Sequence, residues 1–278
     1  HFLSEEVGTL SLRLPACLPI GMAVAGSRPV GRSNLPPDSA HIGIVATTMV
    51  NYHHREKLDN TGHLLLTTGD TVPRDRGISC PPCKGGSEQG EQGVKKNPMG
   101  ACAGAALYSA KMLKEIGLFD RDFFLNYEDS DLSLRGIVQG WNCVHCPTSI
   151  VYHKINASIG KIKDTSYRIR SQRNQLWAYL HNAPWLTITL NFPWIFLRDL
   201  FVIAISVITL RWSITKIFLC SRYEVLKTLP TIWKKRKLVQ KHRKISGLDF
   251  WFRQTSFLTT YTKYFWQIVV QRKNSVME

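Results

Sequence analysis

Hydrophobic and polar positions alternate in the first half of the chain in a way that predicts strands. Residues 41–52, HIGIVATTMVNY, are rich in β-branched side chains and predict a buried strand. A polar turn follows at residues 53–62, and HLLLTTGD at residues 63–70 predicts a second strand. Residues 69–98 contain Gly and Pro throughout, so we expect a long loop there. Residues 1–40 show little periodicity and are assigned to no fold.

Helical spacing replaces alternation in the middle of the chain. Residues 97–120 turn from small residues into helix formers and predict a helix with one apolar face. That face is expected to carry Leu107, Met112, Leu113 and Ile116, with Gly117 as the stop. Residues 128–140 predict a second helix that ends at Gly140, with Leu132, Ile137 and Val138 turned inward. Residues 140–154 then predict two short strand pieces joined at Pro147.

Three carboxylates open the second predicted helix. Glu128, Asp129 and Asp131 stand within four positions, directly behind the aromatic and apolar run FFLNY. A helix N-terminus favours negative charge because of its dipole and its free N–H groups, so a capping role needs no chemistry. Three acids this close repel one another and raise at least one pKa, which favours a functional site. The residues alone leave both interpretations open.

Composition separates the chain into two regions. The 278 residues are 44% hydrophobic, which is enough to bury a substantial core. Residues 1–160 hold 15 Lys and Arg against 15 Asp and Glu, whereas residues 161–278 hold 21 against 5. The whole formal excess of +16 therefore lies in the last part, and we expect two physically different regions joined near residue 160.

The basic tail, residues 161–278, is expected to be helical and to lie on a membrane. Its apolar run at residues 200–210 is shorter than the roughly 20 residues of a spanning helix. Its tryptophans suit a membrane interface, and KKRKLVQKHRK at residues 234–244 would attract anionic lipid. The sequence therefore predicts amphipathic helices on the cytoplasmic face of the cell membrane, with an anionic membrane surface as partner. Nucleic acid is the rival partner, and the length of the apolar runs argues against it.

Cysteine spacing raises one metal alternative. Seven cysteines, an odd number, do not describe a disulfide scaffold, so reduced thiols are expected. The pairs Cys80 and Cys83, and Cys143 and Cys146, have the inner spacing of zinc knuckles. The gap between the pairs far exceeds the roughly 15–20 residues of common zinc modules, which disfavours a shared zinc site.

The order of the segments resembles a known family. MGACAGAALYSAKMLKEIGLFDRDFFLNYEDSDLSLRGIVQGWNCVHCPTSIVYHKINAS resembles the second half of the catalytic domain of inverting family-2 nucleotide-sugar glycosyltransferases, especially the bacterial rhamnosyltransferase-like group. The matching pieces, in order, are G-A-C-A-G-A, the segment from Lys111 to Asp120, F-F-x-x-x-E-D-x-D-L-x-x-R, G-W and V-x-H. HIGIVATTMVNYHHREKLDNTGHLL is similar to the preceding segment and RSQRNQLWAYLHN to the following helix, so the resemblance covers roughly residues 41–200.

The resemblance implies a fold and a set of site residues. The implied fold is GT-A, an α/β sandwich around a mixed sheet that binds a nucleoside-diphosphate sugar, with residues 41–160 as its acceptor-side part. Asp129 would be the general base for the acceptor hydroxyl, with Glu128 and Asp131 positioning the acceptor. His153 would bind a metal or the diphosphate, with Mg²⁺ or Mn²⁺ as the cofactor. The implied substrate-binding residues are Gly100, Ala101, Ala103, Arg173 and Asn174.

The expected function is inverting transfer of a rhamnosyl or similar hexosyl group to a cell-surface polysaccharide or a lipid-linked acceptor. The family's metal-binding D-x-D is not found in residues 1–40, so we expect that stretch to be a truncated or non-native start. A non-catalytic membrane-associated binding protein derived from a transferase stays open as the alternative. A glycoside hydrolase is disfavoured, because its two carboxylates face each other across about 5–10 Å and Glu128 and Asp129 are adjacent.

Overall fold

The computed structural model describes residues 41–80, 97–154, 164–258 and 262. Residues 1–40 and part of the expected loop at residues 69–98 lie outside the described ranges. The strands are β1 (Ile42–Asn51), β2 (Leu58–Asn60), β3 (His63–Leu65), β4 (Thr71–Pro73), β5 (Ala106–Tyr108) and β6 (Asn142–His153). The helices are α1 (Ala110–Ile116), α2 (Glu128–Val138), α3 (Thr165–Asn182), α4 (Trp185–Ile208), α5 (Trp212–Lys227), α6 (Leu229–Lys241) and α7 (Gly247–Arg253).

β1 is the centre of a mixed four-stranded sheet. β6 pairs with it in parallel from Ile42 opposite Asn142 to Asn51 opposite His153. β2 and β5 pair with β1 in the antiparallel sense, and they share its second edge because β6 occupies the first along its length. β3 and β4 form a separate antiparallel hairpin. The α/β class and the strand predicted at residues 41–52 are therefore confirmed, while the strand predicted at residues 63–70 is confirmed only over β3.

β6 is one strand, so the prediction of two strand pieces joined at Pro147 is wrong. Cys146 stands opposite Thr47 and Ile150 opposite Thr48, which leaves residues 147–149 without partners on β1. Proline has no N–H to donate to the sheet, so the pairing is interrupted there and then resumes in the same direction. The strand thereby carries His153 to the carboxyl end of β1.

α1 confirms the first predicted helix over part of its length. Ser109 caps it, its side chain accepting from the N–H of Met112, and Gly117 ends it with φ of +82°, as predicted. Met112 and Ile116 are buried, but Leu107 lies in β5 and is exposed, so its assignment to the helix face is wrong. Pairing with β1 overrides the helix-forming tendency of that segment.

The basic tail shares its hydrophobic core with the sheet. Tyr179 of α3, Ala183 just after it and Phe250 of α7 belong to the same buried cluster as Ile44 of β1 and Leu132 of α2. α2 is buried along most of its length, as the predicted inward positions require. The net charge of the chain thus changes near residue 160, but the hydrophobic core continues across that position.

α4 is the one helix, within the described residues, that is long and apolar enough to cross a membrane by length and composition. It has 24 residues, a mean hydropathy of 1.6 over its best window, and 11% of that window is buried. The apolar run at residues 200–210 was expected to be too short to span, but its residues 200–208 are only the C-terminal part of this longer helix. Its exposed apolar side chains include Leu190, Phe196, Leu200, Phe201 and Ile208.

Polar side chains join α4 to the rest of the protein from its first turn to its last. Thr187 donates to the carbonyl of Gly247, Asn191 to Gln254, Arg198 to Asp70, and Ser206 bonds to Thr215. The four α4 residues are spaced for one helix face. The helix therefore lies along the protein body, with its apolar side turned outward.

Candidate functional site

The loop before α2 sets the position of the carboxylates. Phe124, Asn126 and Tyr127 have φ values of +60°, +66° and +67°, a region that non-glycine residues rarely adopt. Each such residue costs about 1–3 kcal/mol and persists only where its surroundings fix it. Asn174 of α3 fixes this loop, because its amide donates to the carbonyls of Phe123, Leu125 and Asn126 at 2.8, 2.9 and 3.0 Å.

Asp129 and Glu128 are half-buried at the start of α2. The Asp129 Oδ1 accepts from the N–H of Ser130 at 2.7 Å, and its Oδ2 accepts from the N–H of Ala103 at 3.0 Å. Burial and the charge of Asp129 both raise the pKa of Glu128. The Glu128 Oε2 is buried and has no hydrogen-bond partner among the described residues. Such an orphaned oxygen is the kind of group that a bound ligand can satisfy.

Asp131 lies in the core and away from its two acidic neighbours. It is 1% exposed, its Oδ2 accepts from the Arg135 Nε at 2.9 Å, and its Oδ1 accepts from Asn182 at 2.8 Å and lies 3.3 Å from the His181 Nδ1. Burial alone would raise the pKa of Asp131, but His181, Arg135 and Asn182 outweigh it and hold that pKa below its usual value. The side chain therefore joins α2 to α3 and offers no exposed oxygen to an acceptor.

The small-residue segment packs directly against α2. A Cβ on Gly100 would lie 2.6 Å from the Ser133 Cβ, and Ala101 is fully buried beside the same serine. Ala103, in contrast, is exposed and gives its N–H to Asp129. The expected close backbone approach is present, and it places Ala103 at the surface beside the carboxylate while Gly100 and Ala101 lie beneath it.

Arg173 and Asn174 lie behind the carboxylates. Asn174 is fully buried, and Arg173 donates from Nη2 to the carbonyl of Asp122 at 3.1 Å and lies over the ring of Trp177. Both side chains hold the loop that precedes α2. Neither Asn174 nor Asp131 has a surface through which it could touch a substrate directly.

His153 ends β6 at the carboxyl edge of the sheet. Its Nδ1 lies 2.7 Å from an oxygen of the buried Asp59, which also pairs with Arg76 at 2.8 Å. In the tautomer that donates its Nδ1–H to a carboxylate, the other ring nitrogen keeps its lone pair, which is the common arrangement of a metal-binding histidine. The Nε2 faces the segment of Gly104, next to the Ala103 that binds Asp129. The predicted metal residue and the predicted base thus flank one short segment.

A second set of possible metal ligands lies at the same place. His63, Cys102 and Asp129 offer one nitrogen, one sulfur and one oxygen within 4.8 Å of one another. Nitrogen and sulfur ligands suit Zn²⁺ better than Mg²⁺ or Mn²⁺. Burial and Asp129 raise the pKa of Cys102 to about 11, so the thiol is protonated at neutral pH. His153 is not a member of this group.

A third group, formed by Asp120, Asp131 and His181, is already satisfied by cations. Lys235 binds Asp120 at 2.5 Å, and Arg135 binds Asp131.

The zinc-knuckle alternative also loses support, because Cys146 is disulfide-bonded, contrary to the expectation of reduced thiols. Among the described residues, Cys102, Cys143 and Cys220 are free thiols.

Sequence reasoning missed three residues that complete the site. Asp59 and His63 fall in or beside the segment described as a polar turn, and Cys102 is inside the small-residue stretch. Nothing in the sequence singles out Asp59, which lies in β2, because its role depends on β6 placing His153 beside it.

Comparison of the sequence with protein-family models gives no match, and comparison with curated proteins gives none either.

Proposed function

We propose that the chain catalyses inverting transfer of a hexosyl group, rhamnosyl or similar, from a nucleoside-diphosphate sugar to a hydroxyl of a cell-surface glycan or lipid-linked acceptor. The observation that carries the proposal is the environment of Asp129. Its carboxylate is half-buried, is oriented by the N–H groups of Ser130 and Ala103, and stands beside the orphaned oxygen of Glu128. Ligand sites in α/β sheets commonly lie at the carboxyl ends of parallel strands, which is where β1 and β6 end.

Asp129 would act as the general base. An alcohol is a poor nucleophile at neutral pH, so its proton must pass to a carboxylate within hydrogen-bond reach as the anomeric carbon is attacked from the opposite face. The backbone donors hold the Asp129 carboxylate in one orientation, so little reorganisation is needed during the transfer. Burial and the charge of Asp129 raise the pKa of Glu128, and its buried Oε2, which has no partner among the described residues, would hydrogen-bond the acceptor.

His153 would bind the diphosphate side of the donor, directly or through Mg²⁺ or Mn²⁺. The Asp59 contact engages the His153 Nδ1, and the Nε2 would be the one metal ligand that this side chain offers. Hard cations prefer oxygen ligands, and Asp59 is already engaged by His153 and Arg76, so the donor's phosphate oxygens would supply most of the coordination. When bound, the cation would neutralise charge on the departing diphosphate.

The proposed location is the cytoplasmic face of the cell membrane, with α4 in the plane of the interface. A helix of 24 residues is about 36 Å long, enough to cross a bilayer. Arg198, near its middle, is bound to Asp70 in the β3–β4 hairpin, so a spanning α4 would draw that hairpin into the hydrocarbon. The exposed apolar side and the anchored polar side are what an interfacial helix requires.

Asp129→Asn tests the assignment of the base. We expect transfer from a panel of nucleoside-diphosphate hexoses into a membrane glycolipid extract to fall by roughly 10²–10⁴-fold, the usual range for loss of general base catalysis. Calorimetry with nucleoside diphosphates and Mn²⁺ should show unchanged affinity, because Asp129 acts on the acceptor. Asp122→Asn, an exposed acid-to-amide change, is the matched control and should keep full activity.

Three results would contradict the proposal. Retained turnover in Asp129→Asn would refute the choice of base. Binding of Zn²⁺ by the wild-type protein that is lost in His63→Ala would favour the His63, Cys102 and Asp129 group as a metal site instead. Absence of nucleotide binding to the wild-type protein would favour the non-catalytic binding protein.

A further inference from the structure

A pocket of about 420 Å³ opens where the N-terminal end of α4 meets α6 and α7. The rings of Trp185 and Trp233, with centroids 5.2 Å apart, form one wall. Arg236, Lys237 and Arg243 bring three positive charges to its lining, and Gln240 adds an amide. None of the residues assigned to the candidate functional site lines this pocket.

Arg236 is a buried cation without a carboxylate. It is 4% exposed, and its Nη1 donates to the carbonyls of Leu180 and Ala183 at 2.8 and 2.6 Å. Its guanidinium lies 4.7 Å from the centroid of the Trp185 ring. The Nη2 is buried and has no acceptor among the described residues. Burial lowers the pKa of Arg236 to about 10, which leaves it protonated at neutral pH.

The two other cations of the pocket also have no carboxylate partner among the described residues. Within the parts of the chain that the structure describes, neither Lys237 nor Arg243 forms a salt bridge. A buried donor without an acceptor is costly, and three neighbouring cations repel one another. A ligand with several negative acceptor oxygens would remove both costs, and a planar guanidinium suits phosphate oxygens in particular.

The surroundings of the pocket favour a lipid over a soluble phosphate compound. Trp185 and Leu186, which line the pocket, are 54% and 46% exposed and begin the apolar side of α4. Tryptophan and basic side chains together are typical of the headgroup level of a bilayer. A phosphate seated among the cations would leave its acyl chains against the exposed apolar side of α4.

We propose that this pocket binds the phosphate of an anionic membrane lipid, with Arg236, Lys237 and Arg243 as its ligands. The inference rests on the proposed membrane location and adds a specific site to it. It accounts for the orphaned Nη2 of Arg236 and for three cations that have no carboxylate partner among the described residues. General attraction to a charged bilayer requires neither feature.

The test compares two double variants with equal loss of charge. The pocket variant carries Lys237→Gln and Arg243→Gln. The control variant carries Lys234→Gln and Lys241→Gln, which replace two exposed lysines of α6 that do not line the pocket. Each protein is titrated with two sets of phosphatidylcholine vesicles of matched surface potential, one containing phosphatidylglycerol and the other a carboxylate lipid. Circular dichroism confirms that both variants fold.

On carboxylate vesicles we expect both variants to lose affinity equally, by about fivefold for each removed charge. On phosphatidylglycerol vesicles the pocket variant should lose about tenfold more than the control, because charge-assisted hydrogen bonds to phosphate are lost in addition. Equal losses on both vesicle types would overturn the pocket while leaving the membrane location intact. Wild-type binding to neither vesicle would overturn the membrane location itself. Calorimetric binding of glycerol 3-phosphate as tight as vesicle binding would show a soluble phosphate ligand and overturn the lipid assignment.

Discussion

Replacing Asp131 by Asn removes a buried negative charge from the junction of α2 and α3 and almost preserves the side-chain volume. An Asn side chain has one acceptor oxygen, so its NH₂ group would face either the Arg135 guanidinium or the Asn182 amide, donor against donor. Breaking a buried charge pair costs about 3–5 kcal/mol. We expect about 3 kcal/mol here, because Arg135 keeps its bonds to the carbonyls of Ile116 and Leu118.

The stabilising effect of Asp131 should depend on pH. A carboxylate whose pKa is held below its usual value in the folded state stabilises the fold fully above its unfolded pKa of about 3.9. That contribution is lost as the pH falls through the lower, folded-state pKa. The difference in unfolding free energy between wild type and Asp131→Asn should therefore be full at pH 7 and shrink below about pH 4.

Guanidinium unfolding followed by circular dichroism measures this difference, provided that both proteins have the same m-value. Asp122→Asn is the matched control, because Asp122 is 51% exposed and pairs with Lys235 at the surface. Such a pair contributes up to about 1 kcal/mol. If Asp131→Asn costs no more than the control, or its cost does not vary with pH, Asp131 is not part of a buried charge network. An acceptor-positioning role for it would then regain support.

Two further predictions concern the segment from Gly100 to Ala103. Alkylation of Cys102 should be slow at pH 8 and rise toward pH 11, and it should be faster in Asp129→Asn, because that carboxylate helps to raise the thiol pKa to about 11. Peptide mass spectrometry measures the rates. An unchanged rate in Asp129→Asn would contradict an interaction between Asp129 and the Cys102 thiol. Gly100→Ala would place a Cβ 2.6 Å from the Ser133 Cβ, so we expect a loss of about 1–3 kcal/mol in chemical unfolding. Adding Ser133→Gly should recover part of it, and no recovery would show that this clash is not the cause.

Elements defined by local signals could be predicted from the sequence. The β-branched run of β1 and the glycines at positions 117 and 140, both with positive φ, define their elements without help from distant residues. β6 and β5 could not be predicted in the same way. Pairing with β1 carries β6 past Pro147 and holds Leu107 in a strand, although the local pattern favoured a break and a helix.

The candidate site shows the same limit at the level of single side chains. Glu128, Asp129 and Asp131 look alike in sequence, and their spacing alone does not say which acid turns inward. Asp131 precedes Leu134 and Val138 by three and seven positions, so it lies on their buried face and meets α3. Arg135 on α2, together with a histidine and an amide on α3, makes that burial tolerable for a charge.

Those α3 contacts give the basic tail, residues 161–278, a structural role beside the predicted attachment to a membrane. Charge marks residues 161–278 as a separate region. Its Asn174 nevertheless holds the strained loop before α2, and its Asn182 donates to the carboxylate of Asp131 in α2. α3 therefore fixes both the approach to α2 and its buried side, and α2 in turn fixes the orientation of Asp129. A tail that only attached the protein to a membrane would need none of these bonds. The region is better understood as the structural support of the candidate site, and α4 and the pocket lined by Trp185, Trp233 and Arg236 belong to the same region.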